Sequence, residues 1–171
     1  MIWPMPLDCA ATRCTIPKAG EVGYLASPVS DFLRRKMMER DRWFFFETVM
    51  SSRNKVELMR QAQGAGYRTY LYYIATDDVR INIERVAARV QLNGHNVPEA
   101  KIRARYLRSL ELLAEAIHYA NRAYLFDNSG DKDSMLWVGE ITEGRILNLK
   151  TQNVPEWVEK YVIDPMTGGQ A

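Results

Sequence analysis

Apolar runs of strand length alternate with segments of helical period along this chain, and that alternation most restricts its fold. Residues 43–49 (WFFFETV), 67–75 (YRTYLYYIA) and 122–127 (RAYLFD) are apolar on consecutive positions. Such runs suit strands buried on both faces rather than half-exposed ones. The segments between them repeat at steps of three and four. Val56, Met59 and Ala62 form one series, and Ile83, Val86 and Val90 a second. Ile102, Tyr106, Leu110, Leu113 and Ile117 form a third, longer one. Strands separated by helices predict a parallel sheet covered by helices on both faces, a three-layer α/β fold.

Punctuation residues bound these elements. Ser27-Pro28 is a helix entry, a cap followed by a first-turn proline, for a helix reaching about Arg40. Ser51 or Ser52 caps the next helix, and Gly64 and Gly66 end it. Thr76-Asp77-Asp78 opens the helix that stops at Asn93-Gly94, and Pro98 opens the long one. Extended stretches at 136–141 and 145–149 flank Glu143-Gly144, which predicts a short C-terminal hairpin. Residues 155–161 predict one last helical turn. Residues 1 to about 23 show no period and are expected to form an irregular N-terminal segment, with one domain over 24–171.

Composition narrows the function classes. Apolar residues at 47% and charged residues at 26% are globular values. A net charge of +2 is too small to argue for nucleic acid by itself. No apolar run approaches the roughly 20 residues of a membrane span, and the first residues lack a signal-peptide profile, so a cytoplasmic protein is expected. Cys9 and Cys14 have no further soft ligands near them in sequence and are expected to be ordinary thiols, with no metal site.

Charge is nevertheless concentrated. From Arg80 to Arg108 there are seven basic residues (Arg80, Arg85, Arg89, Lys101, Arg103, Arg105, Arg108) against two acids, Glu84 and Glu99. Arg85 and Arg89 share one helix face, as do Lys101, Arg105 and Arg108 on the next helix. Two basic faces joined at Gly94 can close over an anion, because guanidinium groups bind phosphate oxygens bidentately and stay charged. The same pattern also describes a solvated basic face. Ligands of parallel sheets sit at the carboxyl ends of the strands, which points to Glu47-Thr48, Thr76-Asp77 and Asp127-Asn128. A Glu47 carboxylate after four apolar residues should either leave the sheet end or pair with an arginine. His95 suits a turn cap or a surface position, and Asp127-Asn128-Ser129 also suits a strand-ending turn. Neither G-x-x-x-x-G-K-[ST] nor G-x-G-x-x-G occurs anywhere in the chain.

In order, Phe46-Glu47-Thr48-Val49-Met50-Ser51-Ser52, Gly66-Tyr67-Arg68-Thr69-Tyr70-Leu71-Tyr72, and Ile83-Glu84-Arg85-Val86 with Arg89-Val90 resemble the zeta-toxin family of P-loop kinases. Gly94-His95-Asn96-Val97-Pro98, Ile102-Arg103-Ala104-Arg105-Tyr106 with Arg108-Ser109-Leu110, and Phe126-Asp127-Asn128-Ser129 continue the resemblance, which covers about residues 24–130. It implies a nucleoside-kinase-like fold, ATP and Mg²⁺ as cofactors, and phosphoryl transfer to a sugar nucleotide such as UDP-N-acetylglucosamine. It also implies a bacterial toxin–antitoxin context with a protein antitoxin as partner. Glu47 and Thr48 match the family's substrate-contacting pair, and Arg85 and Arg89 its first lid arginines. His95, Arg103 and Arg105 compete for the second lid position, and Asp127 and Asn128 would lie near the nucleotide. No catalytic residue is assigned.

The family's first strand, phosphate loop and general base have no counterpart before Tyr24, so little or no activity is expected of this chain alone. Phosphoryl transfer rests on positioning and charge stabilisation, which those parts supply. The alternative is a non-catalytic module whose basic hairpin engages nucleic acid or an acidic protein.

Overall fold

The computed structural model describes residues 19–130 and 134–168, which form two units meeting between Phe45 and Phe46. Cys9 and Cys14 lie outside the described residues. The first unit is built on α1 (Ala19–Met38). This helix starts eight positions before Ser27, so Pro28 sits within it rather than at its entry. A proline removes one backbone donor from the helix ladder, yet the helix continues through it. Val29, Phe32, Leu33 and Met37 are exposed along α1 at helical spacing.

The second unit is mixed α/β. It comprises α2 (Arg53–Gly64), β1 (Tyr70–Ala75), α3 (Val79–Gln91), α4 (Glu99–Glu111) and α5 (Leu113–His118). Then come β2 (Arg122–Asp127), β3 (Leu136–Thr142), β4 (Ile146–Leu149) and α6 (Glu156–Val158). One wide, π-type turn over Glu159–Ile163 leads from α6 into α7 (Asp164–Gly168). The sheet order is β1-β2-β3-β4. Only β1 and β2 run parallel, with Tyr70 opposite Arg122 and Ala75 opposite Asp127. The hairpin β3–β4 adds antiparallel, turning through Glu143 and Gly144, both at positive φ. An added Cβ on Gly144 would meet the His118 backbone at 3.0 Å, so this turn sits directly on the end of α5.

Four expectations are corrected. The sheet is mixed rather than parallel, and it is covered on one face. Tyr73, Ala75, Ala123, Leu125, Val138 and Ile141 point into a core completed by Val56, Leu110, Leu113, Ile117, Trp157, Val158 and Val162. On the other face Tyr70, Tyr72 and Ile74 are exposed. The strand expected at 43–49 does not form either. Trp43 is 82% and Phe45 85% exposed, and the backbone there has no regular structure. Aromatic content gives strand propensity, but a strand persists only when a neighbour satisfies its donors and acceptors. Among the described residues no strand pairs with β1 on its side away from β2. The long helix expected after Pro98 divides at Leu112 into α4 and α5.

Within the core the Tyr73 hydroxyl lies 3.0 Å from Ser109 Oγ, a buried polar pair. Burial pushes the Tyr73 phenol up to about 12. In the unfolded chain it titrates near the ordinary value of about 10. The stability this raised value represents is therefore fully present below pH 10 and is lost as pH rises from 10 to about 12. We expect the unfolding free energy to fall over that window by on the order of 2 kcal/mol. Tyr73→Phe should flatten the decline, measured by urea unfolding at stepped pH.

Candidate functional site

The carboxyl ends of β1 and β2 lie side by side, because the parallel register brings Ala75 opposite Asp127. The backbone continues in step beyond them, with Asn128 N–H donating to Ala75 O at 2.8 Å. Ser129 Oγ then accepts from Asp77 N–H at 2.7 Å, closing the two turns onto each other. Thr76 is buried and its hydroxyl accepts from Asn82 Nδ2 at 2.7 Å, fixing the start of α3 beneath the β1 turn. Asp78 caps α3 by accepting from Arg80 N–H at 2.7 Å. Its carboxyl is held below the usual range, chiefly by the Arg80 side chain.

The basic hairpin is tied to this platform at two points and to the segment before α2 at a third. On α3, the Arg85 guanidinium donates to Gly130 O at 3.2 Å, just past the end of β2. On α4, the Tyr106 hydroxyl donates to Thr76 O at 2.8 Å, at the end of β1. Burial and the nearby Asp77 and Asp78 carboxylates push the Tyr106 phenol up to about 12, so it remains a donor through the ordinary pH range. Further along α4, Arg108 Nε donates to Ser51 O at 3.3 Å, four residues beyond Glu47. Helices α3 and α4 pack on each other. Gly94 closes the hairpin so tightly that a Cβ there would lie 2.7 Å from Arg89 O.

The structure sorts the seven cations. Arg80 is spent on Asp78, and Arg103 on Glu99 one turn away at 2.8 Å. Arg85 and Arg108 hold backbone carbonyls. Arg89, Lys101 and Arg105 have no carboxylate or carbonyl partner among the described residues. Arg105 is half-exposed and Arg89 exposed. His95 is exposed in the connection between α3 and α4.

Glu47 and Thr48 stand apart from these cations. Both are exposed, and Thr48 Oγ1 accepts from Met50 N–H at 3.2 Å. Glu47 pairs with no arginine among the described residues.

Asp127 is engaged inside the fold. Its Oδ2 accepts from the buried Trp157 indole N–H at 2.8 Å and its Oδ1 from Ser129 N–H at 2.8 Å. Asn128 Oδ1 is buried with no hydrogen-bond partner among the described residues. The sequence reading missed Tyr106 and Trp157 as members of this cluster. Tyr106 falls on the apolar stripe of its helix, and Trp157 lies 30 residues from Asp127, so neither carries a local signal.

No family model matches this chain, and no solved structure matches it. An uncharacterized protein of Haemophilus influenzae is 33% identical to it over 63 residues, 37% of this chain. The match spans 45% of that protein's length.

Proposed function

We propose that this chain binds a phosphorylated ligand at the β1–β2 carboxyl ends beneath the α3–α4 hairpin, as a zeta-toxin-like phosphotransferase of the sugar-nucleotide kinase class. In this reading it has little or no activity alone. The observation that carries it is the set of uncommitted cations. Arg89 and Arg105 face no acid, on two helices that Arg85 and Tyr106 bind to the two strand ends. A guanidinium that holds no partner in the fold can take a phosphate oxygen bidentately without giving up an existing contact. Arg85 can exchange the Gly130 carbonyl for a phosphate oxygen without moving its helix.

The implied cofactors fit unequally. A phosphate chain suits the guanidinium pair. Mg²⁺ does not fit well, because both Asp127 oxygens are engaged and no group of three possible ligands occurs among the described residues. The G-x-x-x-x-G-K-[ST] loop, whose amides and lysine would hold β and γ phosphates, does not occur in this sequence. Ligand binding by the hairpin is therefore the property to be measured first. Glu47 and Thr48, exposed in the segment leading to Ser51, are the proposed contacts for the sugar nucleotide. An antitoxin-like protein is the proposed partner.

Titration calorimetry with ATP and with UDP-N-acetylglucosamine tests this directly. Saturable binding that inorganic pyrophosphate displaces is expected. No saturation at millimolar nucleotide would remove the reading. Tight binding of oligonucleotides that falls steeply with salt would instead favour the hairpin as a nucleic-acid module.

A further inference from the structure

Met50 holds a positive φ of 52°, although its side chain is bulky and only 4% exposed. A left-handed backbone at such a residue persists where its surroundings over-determine it, and these positions cluster at ligand sites. Three contacts do so here. The Met50 side chain packs in the core, and its N–H donates to Thr48 Oγ1 at 3.2 Å. From α4, Arg108 Nε reaches across 57 positions of sequence to Ser51 O at 3.3 Å. The bend divides the buried Met50 from the exposed Glu47, Thr48 and Val49.

Arg108 shares one turn of α4 with two further anchors. The Tyr106 hydroxyl holds Thr76 O at the end of β1, and Ser109 Oγ meets the Tyr73 hydroxyl within β1. This turn is therefore fixed against β1 on either side of Arg108, which carries the fixed position over to Ser51. We propose that Arg108 is a positioning residue that brackets the Glu47–Thr48 segment to the β1 end, and so sets the sugar-nucleotide contacts without serving the phosphate. The role rests on the reading above, in which Glu47 and Thr48 meet the sugar nucleotide. Thr48 Oγ1 already accepts the Met50 N–H, so its hydroxyl proton is left to donate, while an ionised Glu47 only accepts. A donor and an acceptor on adjacent residues suit the neighbouring hydroxyls of a sugar. Holding their segment in place beforehand lowers the ordering cost of binding.

Arg108→Met and Arg108→Gln test this as a pair that loses the same charge. Glutamine carries its Nε2 as many bonds from the backbone as arginine carries Nε, so it can remake the bond to Ser51 O. Methionine puts a methyl group there instead. Arg108 is exposed, so neither change empties the core. Calorimetry with UDP-N-acetylglucosamine and with inorganic pyrophosphate, and amide hydrogen exchange over residues 46–52, read both variants. Arg108→Met should weaken sugar-nucleotide affinity by about tenfold or more relative to Arg108→Gln. It should also speed exchange across 46–52, with pyrophosphate affinity equal in the two variants. Equal sugar-nucleotide affinity in the two overturns the role, as does exchange that Arg108→Met leaves unchanged. Pyrophosphate affinity that falls in step with that of the sugar nucleotide also overturns it, since Arg108 would then serve the phosphate. A parent protein that does not bind UDP-N-acetylglucosamine removes the reading above, and this role with it.

Discussion

Replacing Trp157 by alanine should lower stability by about 4 kcal/mol, the upper range for emptying a core aromatic site. Trp157 is 3% exposed, and its ring lies 5.7 Å from that of Tyr73. Truncation opens a cavity among Tyr73, Val158 and the neighbouring core. It also takes the indole donor from Asp127, leaving one oxygen of a buried carboxylate unpaired, which costs about a further 1–3 kcal/mol. Trp157→Phe keeps an aromatic ring in the site but loses the N–H together with part of the indole volume. It should cost at least the about 1–3 kcal/mol of the unpaired oxygen and less than the alanine variant. In urea unfolding the alanine variant should lower the midpoint at unchanged slope. For a chain of this size its melting temperature should fall by roughly 10 °C or more. A phenylalanine variant as damaged as the alanine one would show that the hydrogen bond, not the packing, dominates.

That prediction depends on a contact no local pattern announces, which defines what was legible. Elements whose signals are local came through. The run 122–127 is a strand over those same residues, Asp78 caps α3, and Glu143-Gly144 turns the C-terminal hairpin. Elements whose signals need a distant partner did not. Residues 43–49 have strand propensity and yet take no regular structure. Pro28 carries the same dipeptide signal at a helix entry as within a helix. The covered and open faces of the sheet were also illegible, because a run such as 70–75 is apolar on both sides whether or not helices bury both. At the candidate site, the density of arginines was legible from their numbers. Their division into spent and uncommitted was not. It depends on Glu99 one turn from Arg103 and on Gly130 lying across the fold from Arg85.

Replacing both Arg89 and Arg105 by alanine should therefore abolish binding of a phosphorylated ligand while leaving stability within about 1 kcal/mol of the parent. Neither side chain holds a partner in the fold, so their loss leaves no polar group orphaned. Each charge-assisted contact to a phosphate oxygen is worth about 1.5–3 kcal/mol, so losing two should weaken affinity by roughly a hundredfold or more. Arg80 and Arg103 supply the matched control. They carry the same charge on the same helices but are committed to Asp78 and Glu99. Their double alanine variant removes the same net charge and should weaken binding by less than about fivefold, the scale of a screened, longer-range effect. Calorimetry with ATP and with pyrophosphate at two salt concentrations reads both variants. Equal losses would mean that the ligand senses the hairpin's total charge, as a solvated basic surface would. A selective loss in the Arg89 and Arg105 variant would mean that it occupies a defined position between the two helices.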